Sequence, residues 1–192
     1  MARRSFPILA WLAVFQFLLV SPVEAQSRDS QSRRAWLGAA YFSPTDTDSR
    51  DIETVNASLF FRLLRVRVID LTVYWSVTGT FATGHIVQSE GDVADGTFRE
   101  FRLENTAVGL GPGLLTDLRI VPLGPFSLRL DGSASFILYS RDFPAGGDHY
   151  NFMWRAGPAV RYTLTDGRFV GVSFQWMHVS NGQGLGSQNP SY

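Results

Sequence analysis

From Arg34 onward, apolar and polar residues alternate with a period of two. This is the side-chain period of a β-strand. The alternation predicts strands over about 34–42, 53–63, 71–81, 98–115, 126–139, 150–164 and 168–180. Val55, Ala57, Leu59, Phe61 and Leu63 oppose Thr54, Asn56, Ser58 and Arg62. Leu71, Val73, Trp75, Val77 and Phe81 oppose Thr72, Tyr74, Ser76, Thr78 and Thr80. The stretch 98–115 is the least regular. Phe101 and Leu103 share one parity, and Val108, Leu110 and Leu114 the other, so a bulge near Asn105 is expected to flip the phase. Gly109, Gly111 and Gly113 then face inward. No stretch holds a helical period over 12 residues.

The links alternate too. Those at 43–52, 82–97, 140–149 and 181–192 are long, and those at 64–70, 116–125 and 165–167 are shorter. Asp166-Gly167 is a hairpin signal. Aromatics such as Trp36, Tyr41, Phe81, Tyr139, Tyr162 and Trp176 gather near strand ends. Long loops on one side, short turns on the other and aromatic girdles describe an outer-membrane barrel better than a soluble sandwich. The expected fold is all-β: an antiparallel, up-and-down transmembrane β-barrel of the eight-stranded type. Seven strands are visible. Either two are merged within 98–123 or an eighth is missing after Tyr192, since an unpaired edge is costly in hydrocarbon.

The first 25 residues read as a signal peptide. They have a basic start at Arg3 and Arg4, an apolar run from Phe6 to Val20 and a small residue, Ala25, at the cleavage point. Residues 26–192 then form a single barrel domain in the outer membrane. Formal charge is zero, so nothing steers the chain toward nucleic acid. There is no cysteine and no lysine, and all 17 basic residues are arginine. That excludes a disulfide scaffold, thiol catalysis and lysine nucleophiles. Mean hydropathy of zero does not separate a soluble protein from a barrel whose two faces cancel.

Candidate chemistry lies in the last stretch. Val170, Val172, Phe174, Trp176, His178 and Ser180 share one face of the 168–180 strand. His178 and Ser180 are two apart on that apolar face. A histidine near its ordinary pKa can take a serine proton. Asn181 or the amides of the following glycine-rich run can face an oxyanion. The same residues also suit a polar strand end running into a glycine-rich loop. His85 and His149 sit in expected loops without metal-ligand spacing. Arg99, Glu100, Arg102 and Glu104 form a charged strand start that suits either a solvated rim or a lipid phosphate contact. Inward Arg129, Asp131, Arg155 and Arg161 are expected to form a lumen salt-bridge network.

The string Met177-His178-Val179-Ser180-Asn181-Gly182, with its glycine-rich turn and Asn189-Pro190, resembles the lipid A 3-O-deacylase (PagL) family of outer-membrane acyl hydrolases. The resemblance implies an eight-stranded barrel with a Ser-His-acid triad on its lipid-facing outside. Its activity is removal of a 3-O-linked hydroxyacyl chain from lipid A of lipopolysaccharide. It implies His178 as general base, Ser180 as nucleophile, and Asn181 with Gly182 or Gly184 as oxyanion site. The triad acid is expected at or beyond Tyr192, with Glu104 a distant substitute. No cofactor or metal is implied. The partners are lipopolysaccharide and outer-membrane lipid, and a monomer or a homodimer fits equally. The alternatives are a non-enzymatic structural or adhesive barrel, a deacylase inactive for want of the acid, and a soluble exported sandwich.

Overall fold

The computed structural model describes residues 17–19, 35–44, 50–92, 97–165 and 168–181. Its strands are β1 (Phe17–Leu19), β2 (Ala35–Phe42), β3 (Arg50–Val66), β4 (Leu71–Asp92), β5 (Thr97–Leu123), β6 (Phe126–Tyr139), β7 (Tyr150–Thr163), β8 (Phe169–Ser173) and β9 (Trp176–Ser180). They form one antiparallel up-and-down sheet in the order β1 to β8, with β9 on β7 beyond β8. The sheet curls through 274° into an open half-barrel. Phe17–Leu19, within the stretch read as a leader, lies antiparallel along Leu37–Ala39 of β2.

β8 and β9 follow one register. Ala159 faces Ser173 and Ala156 faces Trp176. Between them the amide of Phe174 donates to the carbonyl of Pro158 at 2.9 Å. The expected strand over 168–180 is therefore a single path interrupted at Phe174–Gln175. Gly157 makes this close approach possible, because a Cβ there would lie 1.9 Å from the Phe174 carbonyl oxygen.

The alternation is realised as exposure. Val55, Leu59, Phe61, Leu114, Leu130, Phe152, Trp154 and Val160 are exposed on the outside. Thr54, Asn56, Ser58, Ser76, Thr78 and Thr80 are buried inside. This is the inverse of a water-soluble sheet, and it suits an outside that meets hydrocarbon.

Three expectations are corrected. The stretch 82–97 is not a long loop: the β4–β5 ladder continues from Ala82–Ala107 to Asp92–Thr97. The stretch 116–125 is mostly strand, with β5 running to Leu123. No bulge occurs at Asn105, since β4 and β5 keep one register along their whole length. Leu103 instead faces inward and packs against a buried cluster of Ile52, Ala82, Ile86, Ala107, Ile137, Tyr139, Phe143, Met153 and Val179. The interior is apolar at this end, so an apolar residue need not face out.

The β6–β7 loop builds that inner core. Phe143 and Pro144 are buried inside the mouth of the half-barrel. Asn151 Nδ2 donates to the Phe143 carbonyl at 2.6 Å, and Asn105 Oδ1 accepts the Ala145 amide at 2.5 Å. At the other end a second cluster joins Trp36, Phe60, Tyr74 and Leu115, with Trp36 stacked on Phe60 at 3.9 Å. Beside it Asp117, wholly buried, accepts from Arg129 and, at 2.5 Å, from Arg161. The interior is thus filled by side chains, as small barrels require.

The register shifts lie at the short-turn end, between Arg62 and Leu64 and between Arg119 and Val121. The turn between β3 and β4 ends on Asp70 in the left-handed region (φ 49°), a conformation Asp tolerates better than most residues. Its carboxylate pairs with Arg65 at 2.7 Å and with Arg119.

Candidate functional site on the outer wall

His178 and Ser180 lie on β9, and both are half-buried on the outer parity. Their partners on β7 are Trp154 and Phe152. The His178 ring lies 5.6 Å from the Trp154 ring at a tilt of 39°. No hydrogen bond joins His178 to Ser180 among the described residues. Same-face neighbours on a strand are separated by about 6–7 Å of backbone, so their side chains must lean together to meet.

The registers place these two residues at the end of two lateral rows. One row runs Trp75, Leu114, Ala134, Trp154, His178 across β4, β5, β6, β7 and β9. Beside it, Phe136 faces Phe152, which faces Ser180. Phe136 and Phe152 pack with ring centroids 5.4 Å apart. Ala134 is the small residue in the first row, flanked by Leu114 and Trp154. The result is an open, almost wholly apolar groove of about 480 Å³, lined by Trp75, Pro112, Leu114, Ala134, Phe136, Phe152 and Trp154. Its Trp154 end abuts His178. Gly111 brings β5 close to β6 under this groove, since a Cβ there would lie 1.7 Å from the Phe136 carbonyl oxygen.

Asn181 has the opposite parity. Its side chain is 1% exposed, and its Nδ2 donates to Asp148 Oδ2 at 2.9 Å inside the mouth. Alternation therefore separates the Asn181 side chain from Ser180, and the structure joins it to the β6–β7 loop. Gly182, Gly184 and Tyr192, with the expected acid position, lie outside the described residues. Glu104 lies on β5 opposite His85 on β4, with β6 and β7 between it and β9.

The remaining candidates separate into rim and interior. Arg102 donates to His85 Nδ1 at 3.0 Å, and Asp51 lies 3.9 Å from the same nitrogen. His149 pairs with Asp142 at 3.1 Å in the β6–β7 loop. The backbone of Arg99 and Glu100 extends the β4–β5 ladder opposite Glu90 and Ser89. Inside, Arg129 and Arg161 share Asp117, while Arg155 Nε donates to Ser133 Oγ at 3.0 Å. Asp131 is buried and makes no ion pair among the described residues. Sequence reasoning missed Asp117 because its stretch was read as a link. Among the described residues no three His, Asp or Glu side chains converge as a metal site would need.

Comparison with known proteins returns no match: no family model, no curated protein and no solved structure corresponds to this chain. The fold class therefore rests on the sheet itself, an all-β antiparallel half-barrel with an apolar outside.

Proposed function

We propose that this chain is an outer-membrane ester hydrolase that removes a 3-O-linked hydroxyacyl chain from lipid A. One observation carries the reading: a histidine and a serine share an apolar outer wall and end a groove lined by Trp75, Phe136, Phe152 and Trp154. An acyl chain in that groove would hold its ester near Ser180. His178 would take the Ser180 proton as the oxygen attacks the ester carbonyl, then return it to the leaving sugar alcohol. Water, deprotonated by the same imidazole, would release the hydroxy acid. The oxyanion would be met by backbone amides at Asn181, Gly182 or Gly184 rather than by the inward Asn181 amide group. The resemblance implies an acid that would orient the imidazole.

Ser180→Ala is expected to abolish release of 3-hydroxy fatty acid from lipopolysaccharide while the heat-modifiable gel mobility of the folded barrel is retained. Undiminished release by that variant would rule Ser180 out. The hydrogen bond from Asn181 to Asp148 favours a second reading, a non-enzymatic barrel in which this stretch is a structural strand end. That reading expects an unaltered lipid A mass spectrum on expression.

A further inference from the structure

We propose that the short-turn end of the half-barrel binds the phosphate layer of an anionic phospholipid leaflet, through Arg65, Arg67 and Arg119 around an apolar tip of Val68 and Ile69. The inference rests on the membrane reading above. Turn tips in water are ordinarily Gly, Asn, Asp, Pro or Ser. Here the tip is Val68, 95% exposed, followed by exposed Ile69. Arginines surround it. Arg67 is exposed, and Arg65 and Arg119 are partly so, while they converge on the single carboxylate of Asp70. Among the described residues around this turn, three guanidiniums stand against one carboxylate, an excess of positive charge.

The cluster is assembled in advance. The Asp70 amide donates to the Arg67 carbonyl at 3.3 Å, and the Arg119 amide donates to the Asp70 carbonyl at 3.2 Å. Turn and neighbouring strand are therefore tied, and Arg65 and Arg119, held on Asp70, need little further ordering. Guanidinium groups pair with phosphate through parallel N–H donors. Aliphatic side chains among them suit the depth just below that layer. Among the described residues the opposite end sets Arg99, Arg102 and Arg141 against a larger number of acids, Asp51, Glu53 and Asp148 among them.

The full chain can be refolded into phosphatidylcholine vesicles with and without phosphatidylglycerol, and insertion followed by heat-modifiable mobility. Phosphatidylglycerol is expected to accelerate insertion at least about tenfold at low salt, and high salt to remove the gain. Among the described residues the Arg67 side chain makes no hydrogen bond or ion pair, so Arg67→Gln should forfeit about fivefold of the gain and Arg67→Lys should keep most of it. Equal rates in the two vesicles, or an Arg67→Gln variant indistinguishable from the parent, would overturn the inference and leave the membrane reading standing. Insertion into neither vesicle would overturn both.

Discussion

Asn181 donates a 2.9 Å hydrogen bond to Asp148 on the inner side of β9's end, while its neighbour Ser180 faces out. The contact ties the β6–β7 loop to the strand that carries both candidate catalytic side chains. Asp148→Ala leaves a buried amide without its charged acceptor. A loss of about 1.5–3 kcal/mol is expected, read as a lower urea midpoint in detergent micelles. The loop's other ties, through Asn105 and Asn151, should keep the half-barrel folded. Identical midpoints for variant and parent would show that the contact contributes nothing.

Asp117 is the one carboxylate shared by Arg129 and Arg161 in the interior. Its removal takes from two buried guanidiniums the carboxylate that both bond. Asp117→Ala is expected to cost about 3–5 kcal/mol, measurable by the same unfolding titration. Arg155→Met should cost far less, because among the described residues the Arg155 side chain bonds Ser133 and no carboxylate. A reversed order of the two losses would refute this ranking.

Gly111 and Gly132 offer a paired test of the β5–β6 approach. A Cβ on Gly111 meets backbone at 1.7 Å, whereas one on Gly132 meets only the Thr116 hydroxyl at 3.2 Å. Gly111→Ala should therefore prevent formation of the heat-modifiable species, and Gly132→Ala should permit it. A folded Gly111→Ala protein would mean the strands can separate without penalty.

Asp70 introduces an acid dependence. Partial burial pushes its carboxyl up, but Arg65 and then Arg119 outweigh that and hold it below its ordinary 3.8. A carboxyl depressed in the folded state stabilises fully above its unfolded pKa, and the contribution vanishes as pH falls through the folded value. Unfolding midpoints of the parent should thus decline below about pH 4 more steeply than those of Asp70→Asn. Parallel curves would exclude Asp70 as a source of the acid sensitivity.

Trp75 closes the groove farthest from His178. In the proposed reaction Trp75→Ala lengthens the apolar trough without touching the histidine. Longer acyl esters should gain in relative kcat/KM over shorter ones, by about 1–3 kcal/mol at most for each methylene newly accommodated. An unchanged chain-length profile would place the acyl group elsewhere.

The legibility of this chain is uneven for physical reasons. β6 coincides with the expected 126–139 strand because apolar outer residues such as Leu128, Leu130 and Leu138 alternate with inner Ser127, Arg129, Asp131, Ser133 and Ser135 before Ile137 and Tyr139 join the inner cluster. The β4–β5 hairpin departs from the expected one where the outer positions turn polar (Thr83, Thr106 and Glu104), since they stand beyond the apolar band while the ladder continues. Phase at Leu103 was misjudged because the inner cluster around Phe143 admits apolar residues inside. Alternation reveals which face a residue takes, but cross-strand register decides its neighbours. Hence His178 and Ser180 were visible as a same-face pair, whereas the row from Trp75 through Ala134 to Trp154 was not. For Asn181 two signals conflict: the family string pairs it with Ser180, and alternation turns it away.

The two apolar clusters inside the half-barrel have one more consequence. Phe143 at the mouth and Trp36 and Phe60 at the far end occupy the interior, while Ser180 stands on the outer parity. In the proposed reaction a substrate would therefore approach Ser180 from the side. For the reaction proposed, the relevant concentration is then a density per area of bilayer, and turnover should fall as inert lipid or detergent dilutes the surface, even at constant bulk molarity.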